Sequence, residues 1–350
     1  MLDYSIDAED YLRSVVQPDK PHRAAAVRIF GLDIAEADTV VQLLKSAMPK
    51  MTNLHRVYLM SDTVELFEAL LEAPPQLRIL EVGGSNYPPC FHDALFRQSH
   101  LESLRIQFDA SGVSATGDED VYIHLLSDGA LLPNIKRLTL DANLFRPSLL
   151  KYAFPITCLT LSSPSTEDIH DALKLFSQTL VSLVAYGVTH PSQVVHRSCL
   201  PTSLLRDAYL PKLSILHAFF EPDWIVPYSL EHLHVDGMVI RALRGSCPAL
   251  RTVIWEIDGP LRQLLYGEQA GSGVAPIHIY MRKVFETHPT FVRLAVYERA
   301  RVFLPSGTLP YGNIWTRANK DAENADRDFI DFSKWQAEAL ACTFALAAAE

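Results

Sequence analysis

The feature that most constrains this chain is an apolar triplet of fixed internal spacing that recurs almost from end to end. Its clearest copy lies in Leu132 to Asn143, Leu-Pro-Asn-Ile-Lys-Arg-Leu-Thr-Leu-Asp-Ala-Asn, where Ile135, Leu138 and Leu140 form the triplet. The last two members are two residues apart, the period of a strand, so both side chains fall on one face. Asn143 can bond the backbone where the strand turns away and a ladder bond would otherwise be lost. Further copies start at Leu54, Leu77, Leu101, Ile156, Leu180, Leu213, Leu230, Leu250 and Phe291, and a weaker one is Ala24, Val27, Ile29. One copy means little, because short apolar runs are common. Eleven copies, about 27 residues apart on average, define an architecture.

The full pattern, L-x-x-L-x-L-x-x-N with a period of roughly 20–29 residues, is that of a leucine-rich repeat. Helical spacing fills the intervals: Asp38 to Met48, Thr63 to Glu72 with Leu66, Phe67, Leu70 and Leu71, and Ser165 to Phe176 with Ile169, Leu173 and Phe176 inward. Pro49, Pro75, Pro133, Pro155, Pro211 and Pro248 stand just before strands, where a residue that cannot continue a helix is expected. The expected fold is therefore α/β, a leucine-rich-repeat solenoid curved like a horseshoe, with parallel strands on the concave face and helices on the convex face. No single unit can bury its own apolar edge, so the units must stack. We expect a capping segment over residues 1–20, with a short helix from Asp7 to Val16, and the solenoid over 21–305. A capping helix region follows over 306–350; from about Ala322 its pattern puts Phe329, Phe332, Gln336, Leu340 and Thr343 on one side, to seal the open end of the core or, in the alternative, to bind a partner. Stretches at 110–118, 190–203 and 267–273 read as insertions, which on a solenoid emerge on one face.

Composition narrows the partners. A net charge of −10 argues against nucleic acid and anionic membranes, both of which attract basic surfaces. The start of the chain has acids where a signal peptide has bases, and no apolar run reaches the ~18 residues of a membrane span. Five scattered cysteines without C-x-x-C spacing read as free thiols in a reducing compartment, so a cytoplasmic or nuclear setting is expected. By itself the chain is expected to be a monomer.

Residues flanking the last two triplet members should point to the concave face, because side chains alternate along a strand. In the first half these include Arg28, Arg56, Tyr58, Glu81, Arg105, Arg137 and Thr139, an arginine-rich set suited to carboxylates or phosphates. In the second half they include Val184, Tyr186, Ile215, His217, Phe219, His232, His234 and Ile254. Exposed aromatic and aliphatic side chains there would read as an interface with a protein partner. The partner-binding candidates are thus Arg56, Tyr58, Arg105, Arg137, Tyr186, His217, Phe219, His232, His234 and Ile254. His217 and His234 should be neighbours across adjacent strands. With His232 they could be drawn as a metal site, although parallel side chains on a sheet converge poorly on a tetrahedron. A pH-sensitive polar patch is the other reading of the three histidines.

Catalytic signatures are missing from the sequence. It contains no G-x-S-x-G, no H-E-x-x-H and no G-x-x-x-x-G-K, so no enzyme activity and no cofactor are expected. Three units, from Pro49 (Pro-Lys-Met-Thr-Asn-Leu-His-Arg-Val-Tyr-Leu), Leu132 (Leu-Pro-Asn-Ile-Lys-Arg-Leu-Thr-Leu) and Phe154 (Phe-Pro-Ile-Thr-Cys-Leu-Thr-Leu), resemble those of fungal F-box/leucine-rich-repeat proteins. That resemblance implies a substrate receptor whose repeats select a target and whose F-box docks a ubiquitin-ligase adaptor. The L-P-x-E-[IL]-type F-box signature does not occur before the first repeat. Three expectations follow: a ligase-linked receptor, a ligase-independent scaffold or inhibitor, and a metal-dependent enzyme built on His217, His232 and His234.

Overall fold

Parallel strands in chain order are what the recurring triplet builds. The computed structural model describes residues 5–33, 38–61, 63–74, 76–84, 90–108, 133–141, 155–162, 166–186, 210–219, 230–236, 249–257, 282, 285–286, 290–298, 311–318 and 326–329. The 110–118, 190–203 and 267–273 stretches and Asn143 lie outside them. The chain divides into two units, Met1–Pro164 and Ser165–Glu350.

Among the described residues the first unit holds six parallel strands: β1 (Ile29–Asp33), β2 (Arg56–Met60), β3 (Ile79–Gly84), β4 (Ser103–Phe108), β5 (Arg137–Asp141) and β6 (Cys158–Ser162). Their register keeps equivalent positions side by side, so that Phe30, Val57, Leu80, Leu104, Leu138 and Leu159 form one continuous row. That row is buried, as are Leu32, Leu59, Val82, Ile106, Leu140 and Leu161 two residues on. At about 1.5–3 kcal/mol for each fully buried aliphatic side chain, these rows are the main stabilising term of the unit.

A second ladder runs just upstream of the strands. In each repeat one carbonyl accepts two successive N–H groups from the next: Arg28 from His55 and Arg56, His55 from Arg78 and Ile79, and Arg78 from Glu102 and Ser103. Glu102 and Lys136 continue the series toward β5 and β6. Backbone groups entering the strands are thereby satisfied without water.

The helices bury the faces their periodicity anticipates. Helix α1 (Ser5–Val16) buries Ala8, Leu12 and Val15, close to the expected Asp7 to Val16. Lys50 Nζ donates to the Val16 carbonyl at its end, 3.3 Å away. The short α2 (Pro21–Ala26) follows, with proline in its first turn. Helix α3 (Asp38–Ala47) buries Val40, Val41, Leu44 and Ala47. Helix α4 (Val64–Glu68) buries Leu66 and Phe67 and tightens into a 3₁₀ turn over Ala69–Glu72, while α5 (Phe91–Phe96) buries Phe91, Ala94 and Leu95.

The first repeat differs from the expectation. Ala24 belongs to α2, Val27 takes the first triplet position, and Phe30 and Leu32 take the other two. Ile29 instead lies on the opposite face, 61% exposed. Side-chain period in a strand is two, so a register shifted by an odd number of residues reverses every side chain.

The second unit opens with α6 (Thr166–Phe176), which buries Ile169, Ala172, Leu173 and Phe176. Five parallel strands follow in order: β7 (Ser182–Tyr186), β8 (Ile215–Phe219), β9 (His232–Asp236), β10 (Thr252–Ile257) and β11 (Arg293–Glu298). Antiparallel strands follow among the described residues, β12 (Tyr311–Thr316) on β11 and β13 (Asp326–Phe329) on β12. This revises the expected capping helix over 306–350. The helix pattern read from Ala322 does not start there, because Asp326–Phe329 is a strand, and residues 330–350 lie outside the description. The physical reason is local. An antiparallel return needs no crossover helix, and Trp315 enters the core opposite Leu294. Arg317 then clips the junction: Nε and Nη2 donate to the Phe291 carbonyl at 3.2 and 2.9 Å, and Nη1 to that of Phe285 at 3.4 Å. Its guanidinium also lies 5.7 Å from the centre of the Phe285 ring, which packs edge-on against Phe291.

Each unit is a leucine-rich-repeat array, and together they carry the α/β leucine-rich-repeat fold.

Candidate binding face

Since Val57 and Leu59 point inward, Arg56, Tyr58 and Met60 must point the other way, and the register repeats this choice strand by strand. Two rows of the first unit's outward face are fully described. One row is Ile29, Arg56, Ile79, Ser103, Arg137 and Cys158; the other is Gly31, Tyr58, Glu81, Arg105, Thr139 and Thr160.

Charge on these rows is organised about Glu81. Arg56 Nη2 donates to its Oε1 at 2.7 Å from β2, and Arg105 Nη1 stands 3.5 Å from its Oε2 on β4. Glu81 is 14% exposed at its side chain, while the two arginines remain 43% and 45% exposed. The carboxylate is therefore largely enclosed and holds a guanidinium on each side. Arg137, one strand beyond Arg105, is exposed and has no ion pair among the described residues. Three arginines against one glutamate leave these two rows at +2 on a chain of net −10.

Toward β1 the same face turns apolar. The Tyr58 ring lies over Gly31, where an added Cβ would come 3.8 Å from Tyr58 Cβ and Cδ1, and the exposed Ile29 is on the adjoining row. At the other end is Cys158, which is buried. Burial pushes its thiol pKa up, partly offset by a hydrogen bond with Thr157 and by the Arg137 charge. Arg28 does not belong to this face; it precedes β1 at the place His55 holds before β2.

The sequence reading overlooked an amide ladder along the repeat edge. The residue just before the first triplet position reaches back to the preceding repeat: Asn53 Nδ2 to the Ala25 carbonyl at 2.7 Å and Asn134 Nδ2 to that of Ser99 at 2.9 Å. Gln76 does the same to Thr52, and Thr290 Oγ1 to Leu250 at 3.0 Å. Inside, Gln98 is buried and accepts the Leu77 N–H through Oε1 at 3.2 Å. Polar residues recurring directly before the triplet were the available signal.

The second unit's outward rows are different. At the equivalent positions Ser182, Val184, Ile215, Thr252, Ile254 and Ala295 are buried, and Arg293 at the β11 end is half-buried. Ile254 was expected among the exposed contact residues. It is 8% exposed and packs inside the unit, as do Val184 and Ile215. Apolar side chains on both sides of a parallel strand are the mark of burial on both faces, which is the physical reason for the correction. His217 and His234 are register partners, as expected, while His232 sits beside Ile215 and Thr252 in the other row. Tyr186 and Phe219 fall one row further on, in β7 and β8. The side chains of Tyr186, His217, Phe219, His232 and His234 lie outside the description. Among the described residues, no helix is long and apolar enough to cross a membrane.

No protein-family model and no curated protein matches the chain. Solved structures similar to it include a chain of the yeast Rad7–Elc1 complex, with 11% identity, 86% of this chain and 76% of that one covered, and a TM-score of 0.41. Another is the leucine-rich repeat-containing protein LegL7 from Legionella pneumophila, with 12% identity, 83% and 92% coverage, and a TM-score of 0.34.

Proposed function

We propose that this chain is a protein-binding module and that its docking surface is the outward strand face of the first unit, centred on Arg56, Tyr58, Arg105 and Arg137. One observation carries the reading: this face keeps its arginines and Ile29 in solvent, whereas Val184, Ile215, Ile254 and Ala295, at equivalent positions of the second unit, are buried. A sheet face with exposed arginines on β2, β4 and β5 and an apolar edge at β1 offers both steering charge and area for a partner. The main chain supplies rigidity, since each side chain stands on a strand paired on both sides from β2 to β5. The absence of nucleophile–base and metal-ligand motifs from the sequence favours binding over catalysis.

The test is comparative capture from native extract by wild type and by a variant with Arg56, Arg105 and Arg137 all changed to Glu. Proteins retained by the first and lost by the second are partners of this face. Capture that is unchanged by the triple reversal overturns the assignment. The resemblance of the repeats to fungal F-box/leucine-rich-repeat proteins supports a finer form, a receptor that presents a target to a ubiquitin ligase. Recovery of a ligase adaptor with the wild-type chain supports that form; a partner captured without one supports a scaffold or inhibitor. The metal-enzyme alternative is tested separately, by elemental analysis of purified protein. Metal well below one equivalent ends it.

A further inference from the structure

We propose that the first unit's face recognises an acidic, extended peptide segment bearing an apolar residue at one end, lying across the strands from Ile29 toward Arg137. This rests on the docking reading above and names the chemistry of the partner.

Glu81 already shows what the face grips. A carboxylate between β2 and β4 draws in two guanidinium groups, so the arginine geometry is suited to a singly charged carboxylate. Each guanidinium has five N–H donors, and Arg56 donates one of them to Glu81. Both arginines remain nearly half exposed, with donors left for an incoming acid. Glu81 acts as a positioning residue: it holds long, mobile side chains in place before a partner arrives and so lowers the entropy lost on binding. Arg137 adds a third cation one strand further.

The size of the segment follows from the sheet. From β1 to β5 there are four strand spacings of about 4.8 Å, or roughly 19 Å, which about six extended residues span at ~3.3 Å each. At the β1 end, Ile29 and Tyr58 beside Gly31 form an apolar shelf. The charge complementarity selects acidic over basic segments, and the shelf fixes which end of the segment meets β1.

Fluorescein-labelled octapeptides test this directly, titrated by anisotropy at low and physiological salt. Three are homopolymers: octaglutamate, octaglutamine and octalysine. Two more are octaglutamate with its first or its last residue replaced by phenylalanine. The expected result is binding of the glutamate-rich peptides, weakening with salt, with one phenylalanine-bearing peptide tighter than octaglutamate. Neither octaglutamine nor octalysine should bind. Arg137→Glu should weaken octaglutamate binding by about tenfold or more. Ile29→Ser should remove the increment due to phenylalanine and leave octaglutamate binding nearly as it was. Glu81→Gln should lower affinity for octaglutamate although the face becomes more positive, which separates positioning from bulk charge. The variant with Arg56, Arg105 and Arg137 all changed to Glu, if its circular dichroism matches wild type, should prefer octalysine. Should it fail to fold, the single Arg137→Glu variant decides. Octaglutamate binding that survives Arg137→Glu overturns the proposal, and so does failure of all the acidic peptides to bind. If partner capture depends on the arginines while acidic peptides do not bind, this proposal falls and the docking surface stands. If capture is also independent of the arginines, both fall.

Discussion

Strand positions that point away from the triplet core differ in exposure between the two units. In the first unit Arg56, Arg105 and Arg137 alternate with buried leucines and meet solvent; in the second, Val184, Ile215, Ile254 and Ala295 are buried on what should be the same side. Strand geometry decides that a residue points away from the triplet. It does not decide whether water is there. That second decision is written in composition: Arg-Leu-Thr-Leu-Asp in β5 alternates cleanly, whereas Ser-Leu-Val-Ala-Tyr in β7 and Thr-Val-Ile-Trp in β10 are nearly continuous apolar runs. Alternation marks a half-solvated strand, and continuity marks one buried on both sides.

The strongest test of this contrast places the same charge on both faces. Ile254→Asp puts an unpaired carboxylate in a buried site and should cost several kcal/mol, about 3 or more, or abolish folding. Thr139→Asp, in the equivalent row of β5 and in register with Arg105, should change stability by no more than about 0.5 kcal/mol. Urea denaturation of the two variants compares them, and equal costs would erase the distinction between the faces. Next in size is Gly83→Ala, also in the first unit. Its Cβ would come within 2.5 Å of the Gln107 carbonyl oxygen and of Met60 Cε, so a loss of about 1–3 kcal/mol is expected from overpacking. Unchanged stability would mean that β3 and β4 are spaced more loosely than the register implies.

Smaller still is Asn134→Ala. It removes a bond to the Ser99 carbonyl at an exposed edge, with an expected cost of about 0.5–1.5 kcal/mol read from the urea midpoint. The smallest effect concerns pH. Because burial raises the Cys158 pKa in the folded state, the folded chain keeps this proton after the unfolded chain has lost it. Its contribution is complete below the ordinary thiol range and is lost as the pH rises through that range toward the raised value. Cys158→Ser should flatten that alkaline decline slightly. Thiol-reagent kinetics on the native protein should show Cys158 reacting more slowly than a free cysteine, and equal rates would contradict its burial.

Much of the architecture was legible because the triplet combines strand period with a repeat length. From Leu54 through Phe291, each first triplet member and the one three residues later is buried as expected; α3 and α6 fall within a residue or two of their periodic stretches, and α4 covers its own only together with the 3₁₀ turn that follows. The misread first repeat shows where local pattern fails. Ala24, Val27 and Ile29 have the right spacing, yet only pairing with β2 reveals that Phe30 and Leu32 face the core. The C-terminal region shows the same limit, since helical spacing around Phe329 lost to a strand whose hydrogen bonds come from β12.

The sequence by itself determined the repeat, the parallel strands, the helices between them and which side of each strand faces the triplet core. Those follow from side-chain periodicity and apolar content, which are local properties of the chain. Only the tertiary structure decided the register of β1, the antiparallel strands β12 and β13, the grip of Glu81 on Arg56 and Arg105, and the burial of Val184, Ile215 and Ile254 in the second unit. Each of these depends on which distant residues become neighbours, and that is settled by the free energy of burial and pairing across the whole array.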